Sequence, residues 1–237
     1  MSGFFKYSIG KKFLMSVSGL FLVMFLLIHL LINSFLLIPD GGRMFNAAAH
    51  FMATNPVVKI IEPILAIGFI LHIIWGLMIT LQNHKARGKI RYLSGHKTKN
   101  ISLPSKNMFV LGLAVLSFIF LHLSHFWFKM KFVGNEMIAI EISGVSVQVE
   151  NIYALVSAKF SVLWIVIIYV IASLCISLHI SHGVWSAFQS VGICNTVWQK
   201  RLKTVSILFA FIVGIGFSTI AIYCCVIFKM THLLMFN

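Results

Sequence analysis

Charge is what this chain has least of. Of its 237 residues 10% are charged, and only five are acidic, where a soluble domain averages about 25% charged. Five stretches contain no Asp, Glu, Lys or Arg: Phe13–Pro39, Pro63–His84, Asn107–Phe128, Phe160–Gln199 and Thr204–Phe228. Each is longer than the roughly 20 apolar residues a helix needs to cross the hydrocarbon. They predict an all-α integral membrane bundle of five transmembrane helices, one domain over residues 1–237. The expected spans are 13–38, 57–82, 107–129, 160–191 and 205–228. No A-x-A-like site follows the first run, which is too long and too close to the second for a cleaved signal. Cysteine is sparse as well. Cys175, Cys194, Cys224 and Cys225 form neither a disulfide framework nor a zinc pattern, and read as small apolar packers. The missing C-x-x-C-H excludes covalent c-type haem attachment. P-loop, nucleophile elbow, zinc-protease motif, flavin fingerprint and iron–sulfur cysteine cluster are all absent.

The few charges are sorted by sign. Lys6, Lys11 and Lys12 precede the first run. Lys85, Arg87, Lys89, Arg91, Lys97, Lys99 and Lys106 separate the second from the third, and Lys200, Arg201 and Lys203 separate the fourth from the fifth. These regions hold 13 of the 19 basic residues and no acid; Asp40, Glu62, Glu136, Glu141 and Glu150 lie in the alternate regions. The positive-inside rule therefore predicts a cytoplasmic N-terminus and an outside C-terminus. It also makes the net charge of +14 a matter of orientation and anionic lipid, with a cytoplasmic partner as the sharper reading, rather than of nucleic acid.

Between the runs, Pro39–Gly42 reads as a turn and Phe45–Met52 as a short interfacial helix. Asn83–Lys106 reads as an irregular basic loop. Within the outside segment after helix three, "ISGVSVQVE" alternates with period two, and two short strands are expected there.

Ten histidines are present. His50, His84, His96 and His232 fall in loops or at ends. His29, His72, His122, His125, His179 and His182 fall inside apolar runs, where an unpaired imidazole costs several kcal/mol. Any one alone reads equally as a core histidine bonded to a neighbouring helix. Together they place one imidazole on each of the first four helices. His29 lies 11 residues before Asp40 and His122 lies 7 before Lys129; His72 lies 13 after Lys59 and His179 lies 20 after Lys159. At 1.5 Å per residue the first two sit about 10–17 Å, and the second two about 20–30 Å, below their outer charge markers. The expectation is an outer pair, His29 with His122, and an inner pair, His72 with His179. Two facing imidazoles at one depth supply the axial ligands of a haem iron, and a flat apolar macrocycle fits between helices. Gly76 and Gly183 follow His72 and His179 by four residues, which places a position of minimal bulk one turn from each ring. His182 lies about 60° around the helix from His179; it reads either as a donor to a haem propionate or as a satisfied core histidine. His125, beside His122, reads as a proton relay or quinone contact, or as an interfacial histidine.

At these residues the chain resembles the membrane anchor of succinate dehydrogenase and fumarate reductase, in its single-chain, five-helix, di-haem cytochrome b form. The resemblance rests on "SGLFLVMFLLIHLLIN", "FNAAAHFM", "LHIIWG", "FIFLHL" and "LHISHGVWSAF". It implies two b haems with His29, His72, His122 and His179 as axial ligands, paired one-with-three and two-with-four. It implies a flavoprotein and an iron–sulfur subunit on the cytoplasmic side, a cytoplasmic (inner) membrane location, and menaquinone as the usual quinone. Glu62, at the outer end of helix two, reads as a proton-exchanging group for that quinone or as an interfacial carboxylate. The outside segment Lys131–Lys159 is longer than this type leads one to expect. Two competing readings are the cytochrome b of another quinone-linked dehydrogenase and a haem-free proton-coupled transporter.

Overall fold

Four asparagine and aspartate caps set the helix starts. The computed structural model describes residues 8–87, 103–142, 144–193 and 195–235. Helix α1 spans Ser8–Ser34 and tightens into a 3-10 turn, Phe35–Leu37, ahead of Pro39. Asp40 then accepts from the backbone N–H groups of Gly42 and Met44 at 2.9 and 2.8 Å, placing a carboxylate on the positive end of α2, Arg43–Thr54. Asn55 caps α3, Pro56–Arg87, through Val57 N–H at 2.9 Å, and Pro56 occupies the first helical position, where no donor is lost. A single turn, α4 (Leu103–Lys106), precedes α5, Met108–His122. Strands β1 (Met137–Ile142) and β2 (Val145–Glu150) pair antiparallel, Ile140 opposite Val147. Asn151 caps α6, Ile152–Phe160, through Ala154 N–H at 3.1 Å. Helix α7 spans Leu163–Ser190, and Asn195 caps α8, Thr196–Met235.

Five segments are long and apolar enough to cross a membrane: Ile9–Leu37, Pro56–Ala86, Met108–Val133, Leu163–Ser190 and Thr196–Lys229. The chain is a multi-pass, all-α membrane bundle with one small hairpin. The short helix expected near Phe45–Met52 and the two strands are present. Three expectations need correction. The fifth span starts at Thr196 rather than Val205, because Lys200, Arg201 and Lys203 end the apolar run without ending the helix; long basic side chains are good helix formers. The third runs past Lys129 to Val133 through two π-helical turns, Leu123–Trp127 and Lys129–Val133. The fourth span, expected from residue 160, starts at Leu163, and Phe160 instead ends a separate helix, α6, Ile152–Phe160. Most of the basic loop expected at Asn83–Lys106, and Cys194, lie outside the described residues.

Helix α7 carries the packing. Gly214 on α8 stands so close to it that an added Cβ would lie 2.9 Å from the Ser177 side chain. Ser177 donates to the Ala210 carbonyl at 2.7 Å, and the hydroxyls of Ser173 and Ser218 meet at 2.6 Å. Small residues and interhelical hydroxyl bonds are what hold helices together where lipid removes the hydrophobic drive. Helix α1 packs on α3 and α7, and α5 packs on α7, while α3 and α5 touch sparsely. The most apolar windows of the first three spans are only 6% buried, against 28% and 33% for the fourth and fifth.

Helix α2, the hairpin and α6 cap one end of the bundle. Phe45, Ile152, Val156 and Phe160 join Ile165, Tyr169, Ile220 and Phe228 in one buried cluster. Asn46, 1% exposed, pins the cap: its Oδ1 accepts from Tyr153 N–H at 2.8 Å and its Nδ2 donates to Asn151 at 3.2 Å. Asn46→Leu leaves the Tyr153 N–H without its acceptor and is expected to cost about 1–3 kcal/mol, read as a lowered thermal midpoint of the detergent-solubilised protein. Asp40, Glu62, Glu136, Glu141 and Glu150 lie at this cap end. Lys11, Lys12, Lys85, Lys106, Lys200, Arg201 and Lys203 lie at the other, basic end.

Candidate functional site

The four helices that carry one expected ligand each are α1, α3, the α5 segment and α7. Neighbours in the ring are α1 with α3, α5 with α7, and α7 with α1. The histidines meet across its diagonals instead. His29 on α1 faces His122 on α5, with ring centroids 5.6 Å apart and planes at 85°. His72 on α3 faces His179 on α7 at 6.4 Å and 72°. The first pair lies toward the cap and the second toward the basic end. All four rings are half-buried.

Aromatic side chains surround the cap-end pair. Phe25 and Phe217 lie 5.4 and 5.7 Å from His29, and Phe118, Phe126 and Tyr169 lie 5.7, 5.4 and 6.0 Å from His122. The basic-end pair is bordered by glycines. A Cβ on Gly19 would stand 3.1 Å from Cε1 of His72, and one on Gly112 would stand 3.6 Å from Cε1 of His179. These two glycines, on α1 and α5, are the space-making residues that sequence reasoning missed. Their spacing from the histidines is not local, so no single helix shows it. Gly183, one turn from His179, faces open space as expected, with nothing within 4 Å of an added Cβ. Gly76 does not: its Cβ position lies 3.3 Å from the Met15 side chain, so it serves α1–α3 packing.

Partners are scarce for these rings. Among the described residues, the buried Nδ1 atoms of His122, His179 and His182 have no hydrogen-bond partner. His29 has Asn33 Nδ2 at 3.5 Å from its Nε2, a contact at the limit of a hydrogen bond. His72 has Ser18 Oγ at 3.3 Å from its Nδ1. Leaving a buried polar group unpaired costs about 1–3 kcal/mol, so each facing pair has one ring, His122 or His179, with a buried nitrogen still to be satisfied.

The donor set narrows that ligand. Among the described residues no group of three or more His, Cys, Asp or Glu could hold a metal. Two imidazoles alone leave the remaining coordination to the group they would hold. An imidazole nitrogen binds a metal at about 2.0 Å and the ring centroid lies roughly 1.2 Å behind it, so two rings on opposite faces of one iron stand about 6.4 Å apart. The basic-end pair stands at 6.4 Å and the cap-end pair at 5.6 Å. Ligand type suits a bis-histidine haem at both levels; the ring separation matches at the basic end, and at the cap end the rings stand about 0.8 Å closer than ligation of one iron requires. The sparse α3–α5 contact leaves one side of the ring of helices thinly packed.

Three further sequence candidates have definite surroundings. His182 sets its ring edge-on to Trp185, with centroids 5.2 Å apart, and Lys203 Nζ lies 4.7 Å from the centroid of that same indole. His125 Nδ1 lies 3.2 Å from Tyr169 Oη, and the two rings stack at 6°. Tyr169 in turn borders His122, so His125 is linked to the cap-end pair through one tyrosine. Glu62 accepts from Lys131 Nζ at 2.8 Å and Trp127 Nε1 at 3.0 Å. This polar clasp joins α3 to the π-helical end of the third span.

The arrangement defines a multi-pass helical membrane protein with two stacked, diagonally paired histidine sites in its interior. The chain matches no protein-family model, no curated protein and no solved structure. Its function is therefore argued from these residues.

Proposed function

We propose that this chain is the membrane-anchor and electron-transfer subunit of a succinate:quinone oxidoreductase, of the succinate dehydrogenase or fumarate reductase type. Its His29–His122 and His72–His179 pairs would each hold one b haem. The observation that carries the reading is the diagonal pairing. Four histidines on four helices form two facing pairs at two depths; the basic-end pair stands at the separation that shared ligation of one iron requires, and the cap-end pair about 0.8 Å closer.

A haem iron, when bound, accepts and releases one electron without exchanging protons. The residues around the two levels supply the rest. The phenylalanines around His29 and His122 keep water from the cap-end level. Tyr169 and His125 hold a proton between Oη and Nδ1 at the edge of that level, where a quinone such as menaquinone would take up or release its own. Glu62, tied to Lys131 and Trp127, is the one carboxylate beside this level on a spanning helix, and it offers a second acceptor. At the opposite end the lysines and arginines present a positive face for a cytoplasmic iron–sulfur subunit and its flavoprotein partner. With those residues facing the cytoplasm, the chain sits in the cytoplasmic membrane with its cap outside.

The deciding measurement is a reduced-minus-oxidised absorption spectrum of the purified protein, with haem quantified against protein. About two b haems per chain are expected. A folded preparation from haem-replete cells without haem would overturn the reading in favour of a proton-coupled transporter. Co-purification with iron–sulfur and flavoprotein subunits active on succinate or fumarate separates this complex from another quinone-linked dehydrogenase.

A further inference from the structure

The two histidines of the basic-end pair are not held alike. His179 Nδ1 has no partner among the described residues. His72 Nδ1 lies 3.3 Å from Ser18 Oγ on α1. That hydroxyl has a single hydrogen, and it already donates it to the Met15 carbonyl at 3.0 Å. Toward His72, then, Ser18 can only accept. In that arrangement Nδ1 of His72 carries the proton, the Nδ1–H tautomer, and the lone pair is left on Nε2. The next residue, Gly19, lets α1 come this near: any side chain there would begin 3.1 Å from Cε1 of His72.

We infer that Ser18 and Gly19 form a positioning element for His72: Ser18 sets which ring nitrogen is free to bind iron, and Gly19 admits the ring at that distance. The inference rests on the haem reading above for its consequence, though the tautomer itself does not. A hydrogen bond from Nδ1–H to an acceptor makes the imidazole a stronger donor through Nε2, and such outer partners typically contribute 10–100-fold to metal affinity. A stronger donor favours ferric iron. The basic-end haem should therefore depend on α1, although that helix supplies none of its ligands.

The test compares Ser18→Ala and Ser18→Thr with the unaltered full-length protein. Ser18→Ala is expected to release the basic-end haem to excess apomyoglobin about tenfold more readily. It is also expected to move the reduction potential of that haem positive while leaving the other haem unchanged. Ser18→Thr, which keeps the hydroxyl, is expected to restore both. Gly19→Ala should disturb the same haem by displacing the ring. Unchanged haem retention and potential in Ser18→Ala would overturn the inference, as would a Thr variant indistinguishable from the Ala variant. If the unaltered chain holds no haem, the proposed function fails, and the inference is then read directly. Nitrogen-15 NMR of histidine-labelled protein, with His72 assigned by loss of its signal in His72→Gln, should show an Nδ1-protonated ring that Ser18→Ala changes. An Nε2-protonated ring in the unaltered chain, or no change in the variant, would refute it.

Discussion

Replacing either His72 or His179 by alanine is expected to lower the haem content from about two to about one per chain and to leave the cap-end haem's absorption band in place. The two residues lie 107 positions apart in the chain, yet their rings face each other at 6.4 Å. If each supplies one axial bond to one iron, losing either leaves a five-coordinate centre beside Gly112 and Gly183, where nothing can substitute. The two single variants should therefore share one phenotype, and the double variant should add little, as expected of residues that act as a unit. His29→Ala and His122→Ala should remove the other band. His50→Ala, in the capping helix α2, should change neither. Equal loss of both bands from His72→Ala, in a protein still monodisperse and helical by circular dichroism, would refute the pairing.

Gly42→Ala is expected to loosen the cap far more than Gly41→Ala, although the two glycines are adjacent and both have positive φ, +83° and +71°. A non-glycine residue in that region costs roughly 1–2 kcal/mol, and this is all Gly41→Ala should show, because nothing lies within 4 Å of its Cβ position. A Cβ on Gly42 would fall 2.1 Å from Cγ of Tyr153. It must drive out a ring that packs edge-on against Phe228 at 5.3 Å, and with it the Tyr153 N–H bond to Asn46. Backbone strain and lost packing together should exceed about 3 kcal/mol. Thermal unfolding of the solubilised protein, and limited proteolysis within residues 131–159, would check the difference. Equal effects from the two variants would show that the Gly42–Tyr153 contact does not hold the cap.

The candidate site is partly legible in the sequence, and the reason is geometric. Depth along a membrane helix is nearly linear in sequence, at 1.5 Å per residue, and charges mark where each span leaves the hydrocarbon. That linear scale is enough to sort His29 with His122 and His72 with His179, the same pairs that face each other across the bundle. Azimuth is different. Which residue a helix presents to a neighbour depends on how the helices pack, so Gly76, expected beside the His72 site, is instead taken up by Met15. Gly19 and Gly112, which do border the rings, belong to helices whose own histidines serve the other level. The bonds from Ser18 to His72 and from Tyr169 to His125 are hidden for the same reason, each joining residues on different helices.

The amino-acid sequence by itself determined the class of the molecule. Five charge-free runs, long enough to span and too apolar to dissolve, leave the backbone no choice but helices that satisfy their own hydrogen bonds. The starts of four helices are also set locally, by Asp40, Asn55, Asn151 and Asn195, whose side chains lie only two to four residues from the N–H groups they satisfy. Only the tertiary structure decided that the histidine pairs lie on diagonals, that α3 and α5 leave a side of the bundle sparsely packed, and that α2, the hairpin and α6 close over one end. Those outcomes depend on contacts between residues tens of positions apart. Such contacts are chosen by small residues and hydroxyls that let particular helices approach, and no periodicity within a single helix records them.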